Sequence, residues 1–343
     1  MRLICAAAFK INILIIFHQN LNALFSLSKP MKTPFALLLL LLTFGLKAQE
    51  TDIAKMVTMD EFVVNAAIED FNVDDFVSQV IEDTTFYQAF LNLKYFPHDI
   101  KGAMTVYNKD EEEFATLQRK ARQFLSTDEE KWVEITFEKT NGRIKKRNGQ
   151  WRYLTAEVYD DVFFPTHKHR VSNEMVQREQ ELEADSKMEK HKAQLKKMLF
   201  NPGQPIENVP FIGDKLAIFS EEMVPFYDYS IFIFEYNDTI PCIAFSSFVK
   251  EGEEDEVVIR DMTSYFHRDT HEVIAREYRL AHKTILFDFD ISIKVENMLI
   301  DGWLMPKSVS YNGGWDVPFK KPEIISFKME CHDYVTNSGR YVD

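Results

Sequence analysis

Three groups of polar side chains stand at spacings that chemistry can use. His267-Arg268-Asp269-Thr270-His271-Glu272 places two imidazoles four residues apart. On a helix both would face one way and could share a metal. The flanks read as strands, however, so the segment is expected to be a polar turn. Its His-Arg-Asp triplet lacks the glycine-rich loop and the later Asn of a kinase catalytic loop. Thr166-His167-Lys168-His169 would put His167 and His169 on one side of a strand, and the plainer expectation is a polar loop. Asp288 and Asp290 would share a strand face about 7 Å apart, near the carboxyl separation of an inverting glycosidase. They alternate with apolar residues, so a solvent face is the simpler reading. There is no Gly-x-Ser-x-Gly, and Ser247-Phe248-Val249-Lys250 is a chance-level Ser-x-x-Lys. No Cys-x-x-Cys or Cys/His spacing points to zinc. The sequence names no reaction, and the expectation is a protein that is not an enzyme, with no cofactor and no metal.

The charges narrow the partners. Five of the 40 basic residues and none of the 54 acidic ones fall in residues 1–48, which leaves a net charge of −19 on the rest. Such a chain is repelled by nucleic-acid backbones and by anionic lipid surfaces. A nucleic-acid partner is therefore not expected, and a membrane role would need an apolar site. The address is expected at the N-terminus. Met31-Lys32-Thr33-Pro34 precedes the apolar run Phe35 to Leu46, and Ala48 follows. That run is too short for a bilayer, which needs about 20 apolar residues, and it has the form of a secretory signal peptide. Cleavage is expected after Ala48, giving a periplasmic or secreted protein with a leader over 49–71, in which Met59 to Ala67 could be a strand or a helix start. Residues 1–30 hold a second apolar stretch; either Met31 is the true start or two hydrophobic segments anchor the chain. In an oxidising compartment Cys242 and Cys331 are a candidate disulfide, with free core thiols as the alternative.

The elements that would position these residues follow from periodicity. Asn72 reads as the N-cap of a helix with Phe76, Val77, Val80 and Ile81 on its apolar face. Thr85 to Leu93 reads as a second helix stopped before Pro97. Gly102 to Asn108 reads as a strand, and Asp110 to Phe124 as a helix. Trp132 to Lys139, Arg143 to Arg147 and Gln150 to Tyr159 read as a meander turning at Asn141-Gly142 and Asn148-Gly149. Residues 172–200 read as a long charged helix laid over the remainder. From Tyr229 the chain is nearly all strand. Ile285, Phe287, Phe289, Ile291, Ile293 and Val295 alternate with polar residues, which demands one buried and one wet face, hence an antiparallel sheet. At ~3.3 Å per residue this strand exceeds ~30 Å, and a sheet of such strands must twist and curl.

Two helices, a meander, a covering helix and a second meander form the order of elements. With Phe287-Asp288-Phe289-Asp290-Ile291, Asp301-Gly302-Trp303-Leu304-Met305-Pro306 and Tyr311-Asn312-Gly313-Gly314-Trp315, that order resembles the periplasmic lipoprotein-carrier (LolA-like) superfamily, in the exported form found in Bacteroidota. The resemblance spans roughly residues 72–334. It implies an α+β fold, a curled antiparallel β-sheet (an incomplete barrel) with helices covering its concave face, built as one domain over 72–343. It also implies carriage of acyl chains on that face. The expected function is noncatalytic binding or carriage of a lipid or other hydrophobic ligand. The alternative is a structural or scaffold protein of the envelope with a self-filled core. The expected ligand face is Phe287, Phe289, Ile291, Ile293, Trp303, Ile325 and Phe327, with helices such as 72–93 above it.

Overall fold

The computed structural model describes residues 63–65, 71–172, 199–204, 214–283, 288–316 and 322–336. The readings at 1–48 and at Phe287 lie outside those residues, as do most of 49–71 and of the long helix at 172–200. Asp52–Asp343 forms one compact unit. No described helix is long and apolar enough to cross a membrane.

The frame is one large sheet. After the short β1 (Val63–Asn65) come β2 (His98–Tyr107), β3 (Glu113–Leu125), β4 (Glu130–Gly142) and β5 (His169–Arg170). The C-terminal half supplies β6 (Tyr227–Tyr236), β7 (Ile240–Val249), β8 (Ile259–His267), β9 (Val273–Lys283), β10 (Asp288–Ile300), β11 (Trp303–Asp316) and β12 (Glu323–His332). The spatial order is β1-β6-β7-β8-β9-β10-β11-β12-β2-β3-β4-β5. All neighbours are antiparallel except the β1–β6 edge pair. The first meander therefore joins the second through β12 and β2, and the sheet curls without closing into a barrel.

The C-terminal strands follow the sequence reading closely. Along β10, Phe289, Ile291, Ile293 and Val295 are buried while Asp290 is exposed. The register then shifts between Glu296 and Asn297, opposite Pro306 of β11. A proline cannot donate to a ladder, and a bulge is where a sheet interior accepts one. The β6–β7 connection, Asn237 to Thr239, has both Asn237 and Asp238 at positive φ, as the central residues of a type I′ turn require, and the Thr239 N–H closes it on the Tyr236 carbonyl.

Among the described residues three helices lie on one face of the sheet: α1 (Val73–Ile81), α2 (Thr85–Tyr95) and α3 (Leu154–Phe163). Asn72 caps α1 by accepting from the backbone N–H groups of Asp74 and Asp75. Phe76 of α1 meets Phe266 of β8 edge-on at 5.4 Å. Asn92 of α2 donates to the Leu304 carbonyl of β11 at 2.8 Å.

Three readings of the first half are corrected. Asn141-Gly142, expected as a hairpin turn, lies inside strand β4, and Arg143 to Arg147, expected as a strand, is irregular apart from an isolated bridge between Lys145 and Trp151. Residues 110–124, expected as a helix, are mostly strand β3. Its inward positions are Ala115, Leu117, Arg119, Ala121, Gln123 and Leu125. Two of those six are polar, so the period-two apolar signal is broken. Residues 150–159, expected as a strand, lead into helix α3. No side chain of its own N-cap residue, Tyr153, bonds the first turn. The carboxylate of Glu323 on β12 does this instead. It accepts from the N–H groups of Leu154 and Thr155, each at 2.9 Å, and from the Thr155 hydroxyl at 2.7 Å. An anion at a helix N-terminus satisfies orphan donors and opposes the helix dipole.

Candidate functional site

The side of the sheet facing the helices carries an apolar gap beneath α3. The gap's volume is about 40 Å³. Its floor is Ile291 and Ile293 of β10, Tyr311 and Trp315 of β11, and Phe327 of β12. Its roof is one side of α3, with Val158, Tyr159 and Val162, and Leu199 closes it further along. The chain alternation of β10 puts its isoleucines on this face, and their strand neighbours Asp288 and Asp290 point away from it.

The aromatic groups of the floor are locked to one another. Tyr311 and Phe327 stack at 5.1 Å with planes 2° apart. Phe289 packs on Trp315 at 4.8 Å. The Trp315 indole N–H donates to the Tyr311 hydroxyl at 2.8 Å. Burial pushes the Tyr311 phenol well above its ordinary value. The lining contains no carboxylate, imidazole, amine, guanidinium or thiol. A surface of this kind buries hydrocarbon and offers no proton donor or acceptor that titrates near neutrality.

The roof is fastened by polar groups at its borders. Arg119 of β3, 3 % exposed, reaches Asp160 of α3 at 2.6 Å and Glu138 of β4. Its guanidinium lies over the Phe164 ring at 4.6 Å. The Trp151 indole also donates to Asp160, at 2.9 Å. Tyr159 crosses to the sheet where Gly102 of β2 leaves room: a Cβ there would sit 2.1 Å from the Tyr159 hydroxyl oxygen. That hydroxyl is buried and has no hydrogen-bond partner.

The residues singled out from the sequence are only partly assembled. Ile291, Ile293 and Phe327 line the gap, and Phe289 and Ile325 are buried beside it. Trp303 is 46 % exposed at the start of β11, where it meets Phe96 at 5.4 Å, so it is not part of the gap. The roof at this point is α3 rather than the helices at 72–93, because the segment read as a strand is the helix. Cys242 and Cys331 are free and buried, on β7 and β12, with four strands between them in the sheet order. The candidate disulfide is therefore not formed; burial pushes both thiols up to about 12.

The polar constellations resolve into structural roles. His267 Nδ1 accepts from the backbone N–H groups of Asp269 and Thr270, which shapes the β8–β9 turn. His271 is held at positive φ and its ring lies 6.3 Å from that of Phe76. The His167 and His169 rings lie 5.2 Å apart, next to β5. Asp290 is engaged by Arg279 through two bonds, at 2.9 and 2.6 Å. Those bonds hold its carboxyl below its ordinary value, unlike the raised value a general acid needs. A further cluster, Asp99, His332 and Asp333, has ligand atoms within 4.8 Å of one another, but Asp99 already pairs with Arg122 at 2.6 Å.

Sequence reasoning missed the roof residues of the gap, from Thr155 to Phe163, as well as Leu199 and the Tyr311 and Trp315 rings of its floor, together with Arg119 and Glu323. The signal for Glu323 could not be local, since the helix it caps begins 169 residues earlier. No family model and no curated protein matches the chain. Among solved structures the chain is similar to the crystal structure of a DUF1329 family protein from Desulfovibrio piger. The identity is 11 %, over 74 % of this chain and 92 % of that one, with a TM-score of 0.23. At that score the likeness carries no argument, and the reading of the site stands on its own geometry.

Proposed function

We propose that this protein is a noncatalytic carrier or binding protein for a lipid or other hydrophobic ligand, exported after signal-peptide cleavage near Ala48. The observation that carries this reading is the gap between α3 and β10–β12, apolar on both sides and bounded by groups that do not titrate near neutrality. Each methylene buried there would gain about 0.8 kcal/mol. At about 40 Å³ the gap has room for only part of an acyl chain. Uptake then needs α3 to lift from the sheet, and the Glu323 and Arg119 contacts set the cost of that movement.

A second reading, an envelope scaffold with a self-filled core, is favoured by that same small volume and by the interlocked aromatics of the floor. Native mass spectrometry of the exported protein and titration with a fluorescent fatty-acyl probe separate the two. A carrier gives co-purifying lipid or saturable probe binding, and Val158→Phe, which fills the gap, weakens it. No lipid and no saturable binding in the folded protein favours the scaffold. The same spectrum reads the N-terminus, expected at Gln49; Met1 retained in a membrane fraction would overturn export with cleavage.

A further inference from the structure

In one short segment the sign of the charge reverses. The chain beyond residue 48 is strongly acidic, yet residues 139–156 hold six basic side chains and no acidic one. The segment leaves the end of β4 at Gly142, whose φ is +69°. A Cβ there would lie 2.3 Å from the carbonyl oxygen of Phe114 on β3. A tight loop follows, and Ile144, 1 % exposed, pins its base in the core. The Lys146 N–H donates to the Gln150 carbonyl at 2.8 Å, and the Gly149 N–H to the Lys146 carbonyl at 3.0 Å. The Asn148 side chain accepts from the Gln150 N–H at 3.2 Å and donates to the Gln150 side chain at 2.9 Å. Backbone and amide groups thus shape the tip without help from its cations. Lys145 is engaged by Glu138 at 2.7 Å and lies over the Trp151 ring at 4.6 Å. Arg143, Lys146 and Arg147 are exposed, and among the described residues they make no ion pair.

Two carboxylates near this segment are already taken. Glu138 holds Lys145 and Arg119, and Asp160 holds Arg119 and the Trp151 indole. The register brings Glu113 toward the base of the loop, since Ala115 faces Gly142, yet among the described residues no ion pair joins it to the tip. Charges farther away than about 8 Å are screened at physiological salt, so the tip meets a partner with its own sign rather than with the net charge of the chain. Three exposed cations within five residues attract an anionic surface. Phe114, 46 % exposed at the base of the loop, adds an apolar side chain that gains by entering a headgroup layer. We propose that the tip from Arg143 to Arg147 docks this protein on a bilayer bearing anionic headgroups. A nucleic acid would match the cations but offer Phe114 no apolar layer. The loop runs directly into the roof of the gap: the Trp151 indole holds Asp160 of α3, and α3 begins three residues after Trp151. Docking there keeps α3, the element that must lift, next to the lipid. That purpose rests on the carrier reading; the docking itself does not.

Flotation of the exported protein with vesicles tests the docking. One set of vesicles is phosphatidylcholine alone, and the other is equal parts phosphatidylcholine and phosphatidylglycerol. Binding is expected to the second set only, and it should weaken as salt rises. Combining Arg143→Gln, Lys146→Gln and Arg147→Gln removes the three exposed charges and should lower the partition about a hundredfold. Thermal unfolding checks that this variant is folded. No binding to the anionic vesicles, equal binding to both sets, or wild-type binding by the folded triple variant overturns the docking. Retention on heparin without any vesicle binding reassigns the tip to a soluble polyanion and overturns the membrane as its partner. The fatty-acyl probe in vesicle-free solution reads the gap separately. A protein that floats with anionic vesicles but takes no probe keeps the docking and loses the carrier reading; one that takes the probe but does not float loses the docking alone.

Discussion

The two helical covers on the sheet are fastened differently. At the α1–α2 corner the tie is dry and central. Arg276 of β9 pairs with Asp83 at 3.1 Å, with side chains 7 % and 3 % exposed. The guanidinium also donates to Ser264 and lies over the Phe86 ring at 4.4 Å. Asp83 in turn accepts from the N–H and hydroxyl of Thr85, which opens α2. Over α3 the ties are peripheral: Glu323 at its start and Arg119 at Asp160, with the apolar gap beneath its middle. One cover is bolted through the ion pair it buries. The other is held at its borders over space, which is where the carrier reading has something to act on.

The largest expected effect tests the bolt. Asp83→Ala should lower stability by about 3–5 kcal/mol in chemical denaturation, because it strands a buried guanidinium. Adding Arg276→Met should recover much of that loss, since the stranded charge is gone. If Asp83→Ala costs under ~1 kcal/mol, α1–α2 is no more firmly held than α3 and the contrast fails.

Next in size is a wedge under α3. Gly102→Ala brings a methyl against the Tyr159 hydroxyl and within 3.3 Å of the Phe164 ring. Overpacking of this kind costs about 1–3 kcal/mol. Tyr159→Phe alone should be neutral or mildly stabilising, because the lost hydroxyl has no partner. The double variant should recover part of the cost, as neighbouring sites do not add. Denaturation of all three proteins closes the cycle; a Gly102→Ala protein as stable as the wild type would mean that α3 shifts freely.

How far each cover was legible follows from where its determinants sit in the chain. α1 announces itself through Asn72 and an apolar stripe within ten residues. The second meander is legible because its alternation is unbroken from Phe289 to Val295. The α3 region defeats local reading twice. Arg119 and Gln123 occupy inward strand positions because their partners, Asp160 and the carbonyls at the end of α2, come from elsewhere in the chain. The N-terminal cap of α3 is a glutamate on β12. Of the gap, only Ile291 and Ile293 of β10 and Phe327 of β12 were therefore readable, while the β11 rings of its floor and its whole roof were not.

Acidification should distinguish the covers more gently. Burial pushes Glu138 up, but bonds from Lys145 and Arg119 outweigh it and hold the carboxyl below its ordinary value. A carboxylate with a depressed folded value stabilises fully above the unfolded carboxylate range. That contribution is lost as pH falls through the folded value. Glu138→Gln should therefore lose stability at neutral pH and flatten the acid limb of a Tm-against-pH curve. Parallel limbs in the two proteins would remove Glu138 from the fastening of α3.

The smallest effect is the most direct comparison of the two covers, because it makes one chemical change in each. Val158 is half-buried on α3 over the gap, and Val77 on α1 is fully buried. Valine and isoleucine differ little in helix propensity, so Val→Ile reads the packing around each site. Into existing apolar space the extra methylene should gain up to about 0.8 kcal/mol, so Val158→Ile is expected to be slightly more stable. Into close-packed surroundings it strains its neighbours, and Val77→Ile is expected to lose about 1–3 kcal/mol. Under the carrier reading Val158→Ile should also bind the fatty-acyl probe more weakly, since the methylene takes ligand space, while a folded Val77→Ile should bind as the wild type does. Opposite signs in denaturation would establish that one cover has room and the other does not. Losses at both positions would mean that side chains fill the space under α3 in solution, and the scaffold reading would gain what the carrier reading lost.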